Sequence, residues 1–166
     1  MAGIKLTTRI GEVKPPRHVG TVLVLGALAC SSSIEGPGGV TLTGRTSTSA
    51  IHLGEQVTFT ATVTNHAAHS VSLTVNGCRL EFFVADSSGN VVVPAGGQYF
   101  CAENIGGWTF ASGQTQDFQY TWTGTTTSMT NPKVIDSMPP GAYVLYATLP
   151  AAEGTLTTAR IPVRLE

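Results

Sequence analysis

The sequence predicts an all-β protein, an antiparallel β-sandwich of about eight short strands. The main observation is a strict alternation of apolar and hydroxylated residues from Val57 to Thr64, which resumes from Val71 to Val75. Because successive side chains of a strand point to opposite faces, each segment has one apolar face. The composition agrees, since charged residues make up only 11% of the chain and Gly is plentiful.

These two segments and the polar break at residues 65–70 between them predict a β-hairpin. A hairpin with one apolar face is marginal alone, so the rest of the chain is expected to supply a covering sheet. Further strands are predicted at 40–46 on a sheet edge, and at 79–85, 91–93, 115–123, 142–149 and 156–165. Weaker patterns lie at 96–101 and 107–111, and Pro162 favours an edge position for the last strand. Residues 124–140 form a long polar loop, either functional or without fixed structure.

Residues 1–29 have the organisation of a signal peptide. A basic leader precedes an apolar run of eleven residues, Val19 to Ala29, which is too short to span a bilayer. The small residues Ala27 and Ala29 stand before Cys30, an arrangement that resembles the lipobox of bacterial lipoproteins. That resemblance implies lipidation of Cys30 and a membrane anchor in the cell envelope. Plain secretion after Ala29 is the alternative.

Residues 30–39 are rich in Ser, Gly and Pro, which predicts a flexible tether before a domain at 40–166. In an exported chain with a lipidated Cys30, two cysteines remain, Cys78 and Cys101. Cysteines of exported proteins usually pair, so we expect a disulfide between them. It would contribute about 3–4 kcal/mol in the chain-entropy model. A reactive thiol is the alternative.

Motifs for catalysis are missing from the sequence, which has no Gly-x-Ser-x-Gly, His-Glu-x-x-His or phosphate-loop pattern. His66 and His69 fall in the predicted hairpin loop without further metal ligands nearby. The carboxylates are scattered over strands and turns. We therefore predict a protein that is not an enzyme and has no cofactor or metal. After residue 30 the chain has five basic and nine acidic residues, which argues against nucleic-acid binding.

Two tryptophans are candidates for either the core or a binding face. Trp122 continues a strict alternation with Phe118 and Tyr120, which favours the core. Trp108 follows Gly106 and Gly107 outside any clear alternation, and both interpretations of it remain open.

Four stretches occur in the order found in a known family: residues 63–65 (Val-Thr-Asn), 78–92, 111–114 and 139–145. On these stretches the chain resembles the BsuPI family of bacterial intracellular proteinase inhibitors. The resemblance implies an immunoglobulin-like sandwich and inhibition of a proteinase. The chain differs from the family's cytoplasmic namesake in its export signal and its cysteine pair.

The resulting hypothesis is a non-catalytic envelope-binding module of the BsuPI type, whose partner is a serine proteinase or another envelope protein. The candidate binding loops are residues 102–107, with Glu103, Asn104 and the following Trp108 as contacts, and residues 125–138. The alternative is an immunoglobulin-like structural or adhesive lipoprotein domain. It would bind a surface protein or glycan without inhibiting a proteinase.

Overall fold

The computed structural model describes residues 36–101, 105–127 and 135–166. The predicted signal peptide and Cys30 lie outside these ranges. In the part of the chain that the structure describes, a 3-10 turn at Pro37–Gly39 precedes thirteen strands. They are β1 Val40–Thr46, β2 Ala50–Ile51, β3 Val57–Asn65, β4 Val71–Val75, β5 Glu81–Asp86, β6 Val91–Val93, β7 Gly106–Phe110, β8 Thr115–Trp122, β9 Thr125–Thr127, β10 Ile135–Ser137, β11 Gly141–Leu149, β12 Leu156–Thr157 and β13 Ile161–Leu165. Within the described ranges, no helix has the length and hydropathy needed to cross a membrane.

Two main sheets form the sandwich. The smaller has the order β1-β3-β8 and the larger β2-β13-β11-β5-β6, with β12 paired to β11. The short pairs β4-β7 and β9-β10 complete the described structure. The pairings are antiparallel except for β2 with β13, which is parallel. The predicted immunoglobulin-like, all-β architecture is therefore confirmed.

The core lies between the two main sheets, where their apolar faces meet. The ring of Phe59 on β3 lies edge-on to Phe82 on β5, with centroids 6.0 Å apart. In the same interface, Trp122 on β8 lies edge-on to Tyr143 on β11, with ring centroids 5.1 Å apart. Phe59 and Trp122 are each 1% exposed, so the period-two pattern of the sequence identified the buried face correctly.

The structure corrects the strand prediction in several places. The predicted hairpin of β3 and β4 is wrong, because β3 pairs with β1 and β8 whereas β4 pairs with β7 in another sheet. The polar break at residues 66–70 therefore connects two sheets. The single strand expected at 156–165 is divided into β12 and β13. Strand β13 is not at an edge, because β2 and β11 flank it. Pro162 is tolerated there because β2 pairs only with Arg164 and Leu165, which leaves the other side of Pro162 free of a ladder. Residues 96–101 contain no strand, and residues 124–140 contain β9 and β10.

Asn65, at the end of β3, joins three parts of the chain. Its buried side-chain amide donates to the carbonyl oxygens of His69, Phe110 and Ala111 at 2.9–3.0 Å. Its side-chain oxygen accepts from the backbone N–H of Ala67 at 2.9 Å. Every polar atom of this side chain is thus used, and the end of β3 is fixed to the connection that leads to β4 and to the β7–β8 turn.

One side of β4 is closed by a carboxylate. Glu153 accepts from the backbone N–H of Thr74 at 3.0 Å and from its hydroxyl at 2.8 Å. The backbone hydrogen bond from Thr74 is the main reason that the pKa of Glu153 lies below its ordinary value. The N–H of Ala152 in turn donates to the carbonyl oxygen of Thr74 at 2.9 Å. Both backbone groups of Thr74 on this side are therefore satisfied within the chain.

Candidate functional site

The feature of interest is residues 98–101, which we call the Phe100 segment. It follows β6 and the turn at Pro94–Gly97, and it runs without a turn or bend of its own. Its side chains alternate in exposure. Tyr99 and Cys101 are half-buried, while Phe100 between them is 80% exposed. A large apolar side chain is thus directed to solvent from between two inward-facing neighbours.

Tyr99 holds one end of the Phe100 segment against the larger sheet. Its hydroxyl donates to the carbonyl oxygen of Phe82 on β5. Its ring packs edge-on against Phe83 at 5.4 Å, and Phe83 stacks on Tyr146 of β11 at 5.0 Å. Burial raises the pKa of the Tyr99 phenol, so this hydroxyl stays protonated and able to donate throughout the physiological range.

Cys101 holds the other end. It forms a disulfide with Cys78, and the two Cα atoms lie 5.1 Å apart. Cys78 lies in the turn after β4, where its N–H donates to the side-chain oxygen of Asn76 at 3.1 Å. The next residue, Arg79, has a φ of 55°, the left-handed conformation that single turn residues adopt. Phe100 is therefore bracketed by a hydrogen-bonded aromatic anchor and a covalent one.

The same corner brings together the residues Cys78, Glu81 and Cys101, whose ligand-type atoms lie within 4.8 Å of one another. They do not fit a metal site, because zinc and similar ions bind thiolates and both sulfurs are used in the disulfide. His66 and His69 are exposed, and the His66 ring nitrogen Nε2 lies 3.0 Å from the hydroxyl of Thr41. Among the described residues these histidines belong to no metal-type cluster.

Ile105 follows residues 102–104, which the structure does not describe. It is 76% exposed and borders a shallow cleft of about 280 Å³. Asn76, Arg79 and Gly106 also line this cleft. The Arg79 guanidinium lies 5.6 Å from the centre of the Trp108 ring. The corner therefore has two exposed apolar side chains, Phe100 and Ile105.

Of the three predicted contact residues, the structure describes only Trp108. Glu103 and Asn104 lie outside the described ranges. Trp108 lies in β7, not in a loop, and is 8% exposed. It packs against Phe110 at 4.7 Å and Phe118 at 5.2 Å. Trp108 is therefore a core residue and not part of an exposed binding loop. The alternation of exposed and buried residues that begins at Gly106 turns its ring inward.

Sequence reasoning missed Phe100. The weak strand pattern at 96–101 suggested pairing in a sheet, where Phe100 would contribute to a face. A usable signal was the order Tyr-Phe-Cys. An expected disulfide fixes Cys101 inward, and a period of two then places Phe100 outward. The sequence does not reveal the anchor for Tyr99, which is a backbone carbonyl of β5.

The fold and this site define an immunoglobulin-like sandwich domain that presents a braced aromatic segment. The model of the BsuPI family, described as intracellular proteinase inhibitor, matches residues 45–154. The chain therefore belongs to the BsuPI family, and a proteinase-inhibitor-like function follows at the level of the family. Inhibitors of this family are non-catalytic, which agrees with the expectation that the protein is not an enzyme. No curated protein matches the chain.

Several solved structures resemble the model at low identity. Pseudomonas fluorescens alkylpurine DNA glycosylase AlkC is 15% identical, with a TM-score of 0.45, over 77% of this chain and 30% of that one. A β-glucosidase from Erythrobacter marinus is 11% identical, with a TM-score of 0.44, over 76% of this chain and 15% of that one. The CARDB domain of a Pyrococcus furiosus protein is 12% identical, with a TM-score of 0.42, over 76% and 87%. The chain thus spans less than a third of the first two proteins, and none of the three bears on its function.

Proposed function

We propose that the protein is an inhibitor of a serine proteinase and that the Phe100 segment enters the proteinase cleft. The observation that carries this proposal is the position of Phe100, which is 80% exposed between anchored neighbours on both sides. Membership of the BsuPI family supplies the class of partner.

The anchors matter because binding costs conformational entropy. A flexible loop loses backbone and side-chain freedom when a proteinase orders it, whereas a braced segment has already lost most of that freedom on folding. The disulfide of Cys101 and the hydrogen bond of Tyr99 restrain the backbone on either side of Phe100. A braced segment also resists cleavage, because its cut ends would stay in place and could be rejoined.

This proposal favours the Phe100 segment over the second candidate loop, residues 125–138. The two described ends of that loop form the pair β9-β10, in which Ile135 is 66% exposed. The hydroxyl of Thr126 is hydrogen-bonded to the carbonyl oxygen of Val92, but no disulfide restrains this hairpin in its described part. It has less bracing to offer a proteinase.

The proposed setting is the cell envelope. The apolar run before Cys30 supports export, and the lipobox-like residues support a lipid anchor at Cys30. Export also agrees with the disulfide, which forms readily only in an oxidising compartment. An inhibitor so placed would act on proteinases outside the cytoplasm, in contrast to the cytoplasmic role that the family's description implies. Other envelope proteins are the alternative partners.

The proposal is tested by titrating a subtilisin-like and a chymotrypsin-like proteinase with the purified, oxidised protein. We expect stoichiometric, reversible inhibition of at least one of them, with the inhibitor intact on a denaturing gel. The double variant Cys78→Ser/Cys101→Ser removes the covalent anchor and is expected to weaken inhibition by at least about tenfold, with cleavage in the segment.

The matched control is Ile135→Ser, which removes an exposed apolar side chain from the other candidate loop and should leave inhibition unchanged. Rapid digestion of the wild-type protein, or activity unaffected at any ratio, would overturn the proposal. Loss of inhibition in Ile135→Ser with full inhibition by the cysteine variant would assign the contact to residues 125–138 instead.

A further inference from the structure

We infer that Phe100 is the primary specificity residue, so that the partner proteinase is one whose main pocket accepts a large aromatic side chain. This inference rests on the proposed function and adds the class of proteinase to it. The side chain that fills this pocket sets the preference of a serine proteinase, because the pocket encloses it completely.

The geometry suits insertion of the whole ring. Phe100 is 80% exposed, so most of its surface is not used in packing this domain. Its neighbours Tyr99 and Cys101 face the sheet and cannot be withdrawn without breaking a hydrogen bond or the disulfide. Among residues 98–101, Phe100 is thus the apolar side chain that is free to leave the domain surface.

The chemistry of the segment selects among pocket types. Trypsin-like pockets contain an aspartate and require a cation, and elastase-like pockets are too small for a ring. Residues 98–101 are Gln-Tyr-Phe-Cys and contain no charged side chain. Among the described residues, the Glu81 carboxylate lies close to the segment, 3.5 Å from the sulfur of Cys101. An uncharged aromatic side chain matches the apolar slot of chymotrypsin-like enzymes and the large apolar pocket of subtilisin-like ones.

Ile105 is the competing side chain at this corner, since it is 76% exposed. Two features disfavour it. It precedes β7 directly, and the next residue, Gly106, is already paired with Val75, so the backbone there is committed to a ladder. Ile is also branched at Cβ, which makes it wide close to the backbone and stiff at χ1, a poor fit to a slot.

The test is a change of specificity. Wild-type protein should inhibit the chymotrypsin-like or subtilisin-like enzyme and not a trypsin-like one. Phe100→Arg should lose inhibition of the chymotrypsin-like enzyme by about a hundredfold or more and gain inhibition of the trypsin-like one, because the pocket aspartate now has a cationic partner. Phe100→Leu, which stays apolar, should retain inhibition of the first enzyme within about tenfold.

Ile105→Arg is the control, since it adds the same charge to another exposed apolar position of the corner and should not change the preference. The inference is overturned if wild-type protein prefers the trypsin-like enzyme, if Phe100→Arg keeps the wild-type pattern, or if Ile105→Arg switches the preference. These results leave the proposed function standing, because the wild-type protein still inhibits a proteinase. Absence of inhibition by the wild-type protein overturns both. Urea unfolding of each variant establishes that it is folded, which is expected because both side chains are exposed.

Discussion

The side-chain amide of Asn65 donates to the carbonyl oxygen of Phe110 at 3.0 Å, across 45 positions of sequence and within the buried part of the domain. This contact joins the end of β3 to the end of β7, which belong to different sheets. Backbone hydrogen bonds of Asn65 with Gln114 and Gly113 also tie the end of β3 to the β7–β8 turn, whereas the surrounding packing of apolar side chains is not directional. A buried and fully satisfied amide therefore fixes the relative position of two strands that the core alone would not register.

Asn65→Asp is expected to destabilise the domain by about 3 kcal/mol, because the new carboxyl group keeps the shape of the side chain but loses its donors. The carbonyl oxygens of His69, Phe110 and Ala111 would then face an acceptor in place of an amide. Urea unfolding followed by tryptophan fluorescence measures the change.

Asn90→Asp is the control for that experiment, since Asn90 is exposed and, among the described residues, its side chain is hydrogen-bonded only to Asp86. It should cost less than about 1 kcal/mol. Equal costs at the two positions would show that the Asn65 contacts do not stabilise the fold.

Gly44→Ala is expected to destabilise the domain by about 1–3 kcal/mol through overpacking. A Cβ at this position of β1 would lie 2.7 Å from the ring of Phe59 and 3.2 Å from Cβ of Thr158. Both neighbours are buried and cannot move aside easily.

Gly106→Ala is the matched control in another strand, because a Cβ there meets nothing within 4 Å and the backbone conformation accepts it. It should be neutral or stabilising by about 0.5 kcal/mol. Thermal unfolding of the pair gives the comparison, and a Gly44→Ala midpoint at or above that of wild type would contradict it.

Tyr120 should titrate well above an ordinary tyrosine. Burial raises the pKa of its phenol to about 12 from 10.0, since the ring is stacked on Phe82 at 5.6 Å in the core interface. The folded pKa is higher than the unfolded one. The stability linked to this group is therefore fully present below the unfolded pKa and is lost as the pH rises through about 12.

Ultraviolet absorbance of the phenolate in wild type and Tyr120→Phe isolates this step, because the difference curve should rise near the raised pKa. The pKa values of Tyr99 and Tyr143 are raised as well, so part of the alkaline loss of stability should persist in the variant. A difference curve centred at the ordinary tyrosine pKa would show that the Tyr120 ring is solvated.

The disulfide is expected to stabilise the domain by about 3–4 kcal/mol, since it closes a loop with a sequence separation of 23 residues and restrains the unfolded chain. Cys78→Ser/Cys101→Ser should therefore lower the urea midpoint. Wild-type protein in excess reductant should unfold at the midpoint of the double variant. An unchanged midpoint in reductant would mean that the two sulfurs are not bonded in the folded protein.

The sequence allowed much of the fold to be predicted, because burial on one face imposes a period of two. The patterns at Val57–Asn65 and Thr115–Trp122 correspond to β3 and β8, and the first strand was placed on the edge where β1 lies. The break between β12 and β13 was missed. At Thr158 the backbone N–H still donates to the carbonyl oxygen of Ala147, but the N–H of Ala147 donates to the Thr158 hydroxyl. A side chain that replaces one bond of a ladder leaves no periodic signal.

The candidate site was less predictable. The family resemblance indicated an inhibitor, but it did not indicate which loop makes contact. The position of Phe100 depends on two long-range contacts, of Tyr99 with Phe82 and of Cys101 with Cys78. The first is to a backbone oxygen, which no residue type specifies. Trp108 was ambiguous because the glycines before it hide the start of β7.

The carboxylate of Glu153 on the N–H of Thr74 also bears on how crowded copies of this domain behave. The unpaired backbone groups of an edge strand can pair with a strand of another molecule, which is a common start of aggregation. At Thr74 of β4 the carboxylate of Glu153 already accepts the backbone N–H, and a strand from another molecule would have to displace this negative charge. A second copy of the domain could therefore not pair with β4 at Thr74 without first displacing this carboxylate.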